Sequence, residues 1–243
     1  MANITGDFNW SKPQVYTSFV QGADAQAIYD SLDGTMKKRI VFDARTNTLI
    51  GSNVFVAAKI DTLVKPLGMR VANLRDLSRP EIMVMIKDNF YTNATTLVLR
   101  SADYFYERNL PLTEQISQEV ERVNGKLQLP VMVTGFDVKS IEDKNGYGIA
   151  IVPRDDFKGV HDERLKGDYD RKRFSEVDEL GLPKFDRNGS RTWHARDSGL
   201  TGLFLYEDLD IGSWDGNLSY SGGDGLVVLV SAEGTAKNLE GKI

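Results

Sequence analysis

Val56, Ile60, Leu63, Val64 and Leu67 recur at the spacing of one apolar face of an α-helix. No other pattern in the chain constrains it as tightly. Such a helix has to begin just after Gly51-Ser52-Asn53, where the Ser52 or Asn53 side chain can accept from a backbone N–H that has no helical partner. It has to end near Lys65 to Leu67, because Pro66 lacks an N–H and Gly68 tolerates a left-handed exit. The residues before it, from Arg39 to Ile50, read as a strand, a tight loop and a second short strand.

A strand that turns through Gly-Ser-Asn into a helix leaves N–H groups facing open space, which is the physics of an anion site. Gly51, Ser52 and Asn53 are therefore candidates for holding a phosphorylated or acidic small molecule. The same residues serve a helix that caps only itself, and the stretch lacks both the P-loop lysine and dinucleotide glycine spacing.

Further along, Met69–Ala72, Thr95–Leu99 and Val131–Val138 are strand-like, separated by two more helical patterns. Ser78-Arg79-Pro80-Glu81 has the form of a capping box ahead of the first. Leu112, Ile116, Val120 and Val123 form the apolar face of the second, which Gly125 ends. Asn145-Gly146 predicts a tight turn joining Val133–Ile141 to Tyr147–Val152. Strands alternating with helices imply an α/β fold: a mixed, mostly parallel sheet with crossover helices and an antiparallel hairpin. Trp10 is expected to anchor an N-terminal arm on it.

Residues 154–191 hold ten basic and ten acidic residues. This balance suggests a charged connector or excursion between an α/β domain over 1–153 and a smaller β-rich part over 192–243. In that last part, Leu203–Tyr206 and Leu226–Val230 read as strands, and residues 232–243 as a polar tail.

Composition narrows the chemistry. With no cysteine, disulfides, thiolate catalysis and Cys-ligated zinc are excluded. Thirty basic against 35 acidic residues give a net charge of −5, which disfavours broad nucleic-acid binding. Local basic patches at Lys37–Arg39, Arg45 and 171–173 keep that reading open, and Tyr104, Phe105 and Tyr106 beside Arg100 and Arg108 could stack on bases or close a core. No export signal or membrane-length apolar run is visible, so a soluble cytoplasmic protein is expected.

Two clusters carry polar groups suited to chemistry. His194, Arg196, Asp197 and Ser198 place a base, a guanidinium, a carboxylate and a hydroxyl close together. Catalysis would further require the base to reach a nucleophile and a third group to orient it. Asp208, Asp210 and Asp215, with Glu207, occupy a glycine-containing loop that invites a metal reading but departs from the EF-hand template. With no complete catalytic motif, the expectation is a non-enzymatic binding or assembly protein acting through a protein partner or self-association, with no cofactor. The alternatives are a small anionic ligand at Gly51–Asn53 and nucleic-acid handling.

Overall fold

The computed structural model describes residues 18–102, 106–143 and 146–232. The Trp10 arm, Tyr104, Phe105, the Asn145 position of the turn and the tail beyond residue 232 lie outside the described residues.

The chain opens with β1 (Ser18–Phe19), α1 (Gly22–Ser31) and α2 (Gly34–Lys37), then the hairpin β2 (Val41–Asp43) and β3 (Thr48–Ile50). Next come α3 (Val54–Val64), β4 (Met69–Val71), α4 (Leu74–Leu77), α5 (Pro80–Ile86), β5 (Thr92–Leu99) and α6 (Leu110–Asn124). β6 (Val131–Ser140) and β7 (Ile149–His161) are the longest strands. β8 (Arg173–Val177), β9 (Pro183–Phe185), β10 (Arg191–Ala195), β11 (Leu200–Leu205), β12 (Ile211–Ser213) and β13 (Val228–Ser231) complete the order.

Eight strands form one sheet in the order β7-β6-β5-β11-β12-β10-β8-β9. β1, β13 and β4 form a second sheet, and β2 pairs with β3 alone. The mostly parallel sheet expected from the alternation of strands and helices does not form. Among the described residues of the large sheet only β10 and β12 run parallel; every other neighbouring pair there is antiparallel. Alternation fixes the order of elements but not the end of the sheet to which a connection returns. Leu99, at the end of β5, pairs with Val131, at the start of β6, so the chain leaves and re-enters at the same end. Asn124, the last residue of α6, donates to Gly159 O, and Gly159 pairs with Val133. α6 itself therefore ends beside the start of β6, and residues 125–130 have only to turn the chain into a strand antiparallel to β5.

α3 forms where its pattern demands. Asn53 Oδ1 accepts from the N–H groups of Phe55 and Val56 at 3.1 and 3.0 Å, and a 3₁₀ turn at Lys65–Leu67 leads into left-handed Gly68. The helix is buried well beyond one face: Phe55, Val56, Ala57, Ala58 and Ile60 are all at 0% exposure. It packs against β4 of the small sheet as well as β5 and β6 of the large one. Ser78 does not cap α5. The capping box forms one helix earlier, where Asn73 and Asp76 exchange side-chain and backbone hydrogen bonds around α4. Ser78 instead closes α4, and its Oγ lies 3.3 Å from Arg191 Nη1.

Alternate residues of β5 feed two cores. Leu97 and Leu99 join Val131, Val133, α3 and α6; Ala94 and Val98 join Met132, Leu203, Leu205, α4 and α5. Among the described residues no helix is long and apolar enough to cross a membrane.

Candidate functional site

A cleft of about 510 Å³ opens where the start of α3, the start of β5, β11 and the segment following β12 converge. This volume suits a small molecule or one or two projecting side chains. Its walls include Tyr91, Phe204, Tyr206, Trp214 and Tyr220. Trp214 and Tyr220 are 41% and 57% exposed, high for large aromatic side chains.

Two tyrosines hold the 214–226 segment in place. The buried Tyr147 hydroxyl lies 2.7 Å from Asn109 Oδ1 and 3.1 Å from Gly216 O, and accepts from Leu218 N–H at 3.1 Å. Asn109 Nδ2 donates to both Leu200 O and Gly216 O. On the other side, Tyr91 OH accepts from Gly222 N–H at 2.6 Å and donates to Ser52 O at 3.2 Å. Gly225 packs so closely there that a Cβ would stand 2.7 Å from Ser52 N and from the Tyr91 hydroxyl.

The floor is Gly202, where an added Cβ would meet Asn93 Oδ1 and Val54 at 3.7 Å, ordinary contact distances. Asn93 is 9% exposed, and its Nδ2 donates to Ser52 O at 2.9 Å. That bond fixes the amide orientation, since a carbonyl can only accept. Asn93 Oδ1 is left as an acceptor on the cleft wall.

The field in the cleft is negative. Glu207, Asp215 and Asp224 line it, with no Lys or Arg among the described lining residues. Burial pushes the Tyr91 and Tyr206 hydroxyls up to about 12; Asp224 adds to the rise at Tyr91, and Asp215, Asp208 and Asp210 add to it at Tyr206. Tyr147 is also raised, by burial first, and Asp215 contributes.

The residues singled out from sequence fall in several places. Gly51 N–H donates to Gly225 O at 2.6 Å, and Ser52 is wholly buried with its Oγ accepting from Asn93 N–H. Asn53 reaches the cleft wall, but its Oδ1 serves the α3 amides and its Nδ2 donates to Arg39 O. His194 Nε2 lies 3.2 Å from Asp210 Oδ2, and the ring meets Tyr206 edge-on at 6.1 Å. Asp197 stands on another side, against Gly167 and near the buried Arg100. Burial drives the Arg100 guanidinium down to about 9, opposed by Asp197. No hydrogen bond joins His194 to Asp197 or Ser198 among the described residues, and Arg196 lies between them in the turn after β10.

Asp208 Oδ1 accepts from Asp210 N–H, Asp210 Oδ1 from Thr192 N–H, and Asp215 Oδ1 from Asn217 N–H. Among the described residues no three His, Asp or Glu side chains gather in a way that could hold a metal ion.

The loop around Asp208–Asp215 stands out in the sequence by its carboxylates, whereas the aromatic wall beside it is assembled only by the fold. The available signal is Trp214 set among those acids and Tyr220 just after them, following Phe204 and Tyr206 on the preceding strand and turn. Neither a family model, nor a curated protein, nor a solved structure matches the chain.

Proposed function

We propose that this chain is a binding protein that meets its partner through the cleft over Gly202, accepting a group that projects from that partner or a free molecule of similar size. One observation carries the reading: exposed Trp214 and Tyr220 flank a cavity of ligand size whose wall offers the unused Asn93 acceptor. Large aromatics recur in contact sites because they supply wide, rigid contact area at low conformational cost. The pinning of the segment by Tyr91 and Tyr147 supports the same reading, since a site formed before its ligand arrives loses less entropy on binding.

The test uses Gly202→Leu, which places a side chain on the cleft floor, and Gly202→Ala as a milder control. Melting temperature is followed with three probe classes: organic cations, neutral disaccharides and inorganic phosphate with nucleotides. A ligand of the native state raises stability, so at least one class should raise the wild-type melting temperature and leave Gly202→Leu unmoved. If no class does so, or the variant responds as the wild type does, the cleft is not the binding site. The phosphate arm also examines the anion reading of Gly51–Asn53.

A further inference from the structure

The hydrogen-bonding groups of the cleft are unevenly spent. Four of its side-chain donors are committed inside the protein: Trp214 Nε1 to Tyr206 OH, Asn93 Nδ2 to Ser52 O, Asn53 Nδ2 to Arg39 O, and Tyr91 OH to Ser52 O; the Tyr206 and Tyr220 hydroxyls and Asn217 Nδ2 remain to donate. Its acceptors are largely unspent. Asn93 Oδ1 faces the space above Gly202, and no protein donor among the described residues reaches the carboxylates of Glu207 or Asp224. Asp215 uses Oδ1 for Asn217 N–H. The free acceptors, three of them carboxylates, outweigh those neutral donors, which favours a ligand that donates more than it accepts. It must also tolerate aromatic walls and a negative field that no lysine or arginine in the lining offsets.

We infer that the group the cleft accepts is an organic cation, a guanidinium or ammonium on a short apolar stem, held between Trp214, Phe204 and Tyr220 and bonded to Asn93 Oδ1 and the Asp215 carboxylate. The inference rests on the cleft being the binding site. The electron-rich faces of aromatic rings attract cations, and the attraction grows as water is excluded. The carboxylates supply charge-assisted bonds, the stronger kind. A phosphate or carboxylate would meet like charges at Glu207, Asp215 and Asp224. A neutral sugar would find an aromatic platform and neutral donors at Asn217, Tyr206 and Tyr220, but would leave the charge of the carboxylates unmatched. Burial is the main reason that the Tyr91 and Tyr206 hydroxyls are raised, and Asp224 at Tyr91 and Asp215 at Tyr206 add to it.

The experiment titrates the full chain, by calorimetry and tryptophan emission, with methylguanidinium and tetramethylammonium. It adds a short arginine-containing peptide and the same peptide with citrulline, which keeps the shape and removes the charge. A neutral disaccharide and inorganic phosphate complete the set. The expected result is binding of the cations, lost in Gly202→Leu and weakened by added salt. Asp215→Asn should weaken it about tenfold, the scale of one charge-assisted hydrogen bond. The Asn side chain can still accept from Asn217 N–H, and Glu207→Gln, at an exposed position, gives a second charge-removing variant. Binding of the free cations identifies a small molecule as the source of the group; binding of the arginine peptide alone identifies a partner protein. If citrulline binds as well as arginine, or the disaccharide binds in a Gly202→Leu-sensitive way while the cations do not, the cation inference is overturned and the cleft stands. If nothing binds in that way, both fall.

Discussion

Gln115 pairs with Ile151 as a neighbouring strand would: its Nε2 donates to Ile151 O at 2.8 Å, and its Oε1 accepts from Ile151 N–H at 3.0 Å. β7 is an outer strand of the eight-stranded sheet, and strand edges invite pairing with other chains. Asn124 Nδ2 extends the cover by donating to Gly159 O. α6 thus shields the sheet's edge through two amide side chains. Gln115→Ala should cost about 1–3 kcal/mol, since it leaves both backbone groups of Ile151 without their partner. It should also promote self-association. Denaturant unfolding measures the first effect, and light scattering against concentration the second. Unchanged stability and a concentration-independent mass would mean that Gln115 is dispensable there.

Tyr147→Phe should loosen the 214–218 segment without touching the cleft lining. The substitution keeps the ring, which packs edge-on with Phe55 at 5.1 Å, and removes the hydroxyl shared by Asn109, Gly216 and Leu218. The expected loss is about 1–3 kcal/mol for the buried groups left unpaired. Amide exchange at Leu218 should accelerate more than exchange within β6. Equal acceleration at both sites would point to general destabilisation.

The central helix was legible because its signals are local: Asn53 and Gly68 bracket a periodic apolar run. The two capping boxes show where local signals mislead. Ser78 and Glu81 fit the pattern, but Asn73 and Asp76 use it, and Ser78 goes instead to Arg191. The direction of the sheet could not be read, because the register of Leu99 with Val131 depends on where α6 packs. The cleft was hidden for a similar reason. Its supports join Ser52 to Tyr91 and Asn93, and Tyr147 to Asn109 and Gly216, pairs brought together only by the finished fold. The acidic loop stood out in the sequence; the wall it completes did not.

Gly225 and Gly223 make a matched pair. A Cβ at Gly225 would stand 2.7 Å from Ser52 N and the Tyr91 hydroxyl, whereas one at Gly223 would meet nothing within 4 Å. Gly225→Ala should cost about 1–3 kcal/mol through crowding. Gly223→Ala, at an exposed position, should stay within about 0.5 kcal/mol of the parent. Thermal unfolding of the two variants side by side measures the contrast. Equal melting temperatures would show that the 222–225 turn yields without cost.

The buried phenols set an alkaline limit on stability. In the folded chain Tyr91 and Tyr206 hold their protons to about pH 12, against 10.0 for an unperturbed tyrosine, chiefly because burial penalises the phenolate. Between those values the folded protein binds more protons than the unfolded chain. The linkage relation then makes the free energy of unfolding fall as pH rises. The contribution of these phenols is fully present below pH 10 and is lost as pH climbs through about 12. Tyr147, raised further by burial, acts with the same sign. Denaturant midpoints collected across this range should decline, and tyrosinate absorbance should show phenols that ionise only as the protein unfolds. Tyr206→Phe removes one such phenol, so its decline should be shallower than the parent's. A slope as steep as the parent's would assign the alkaline loss to other groups.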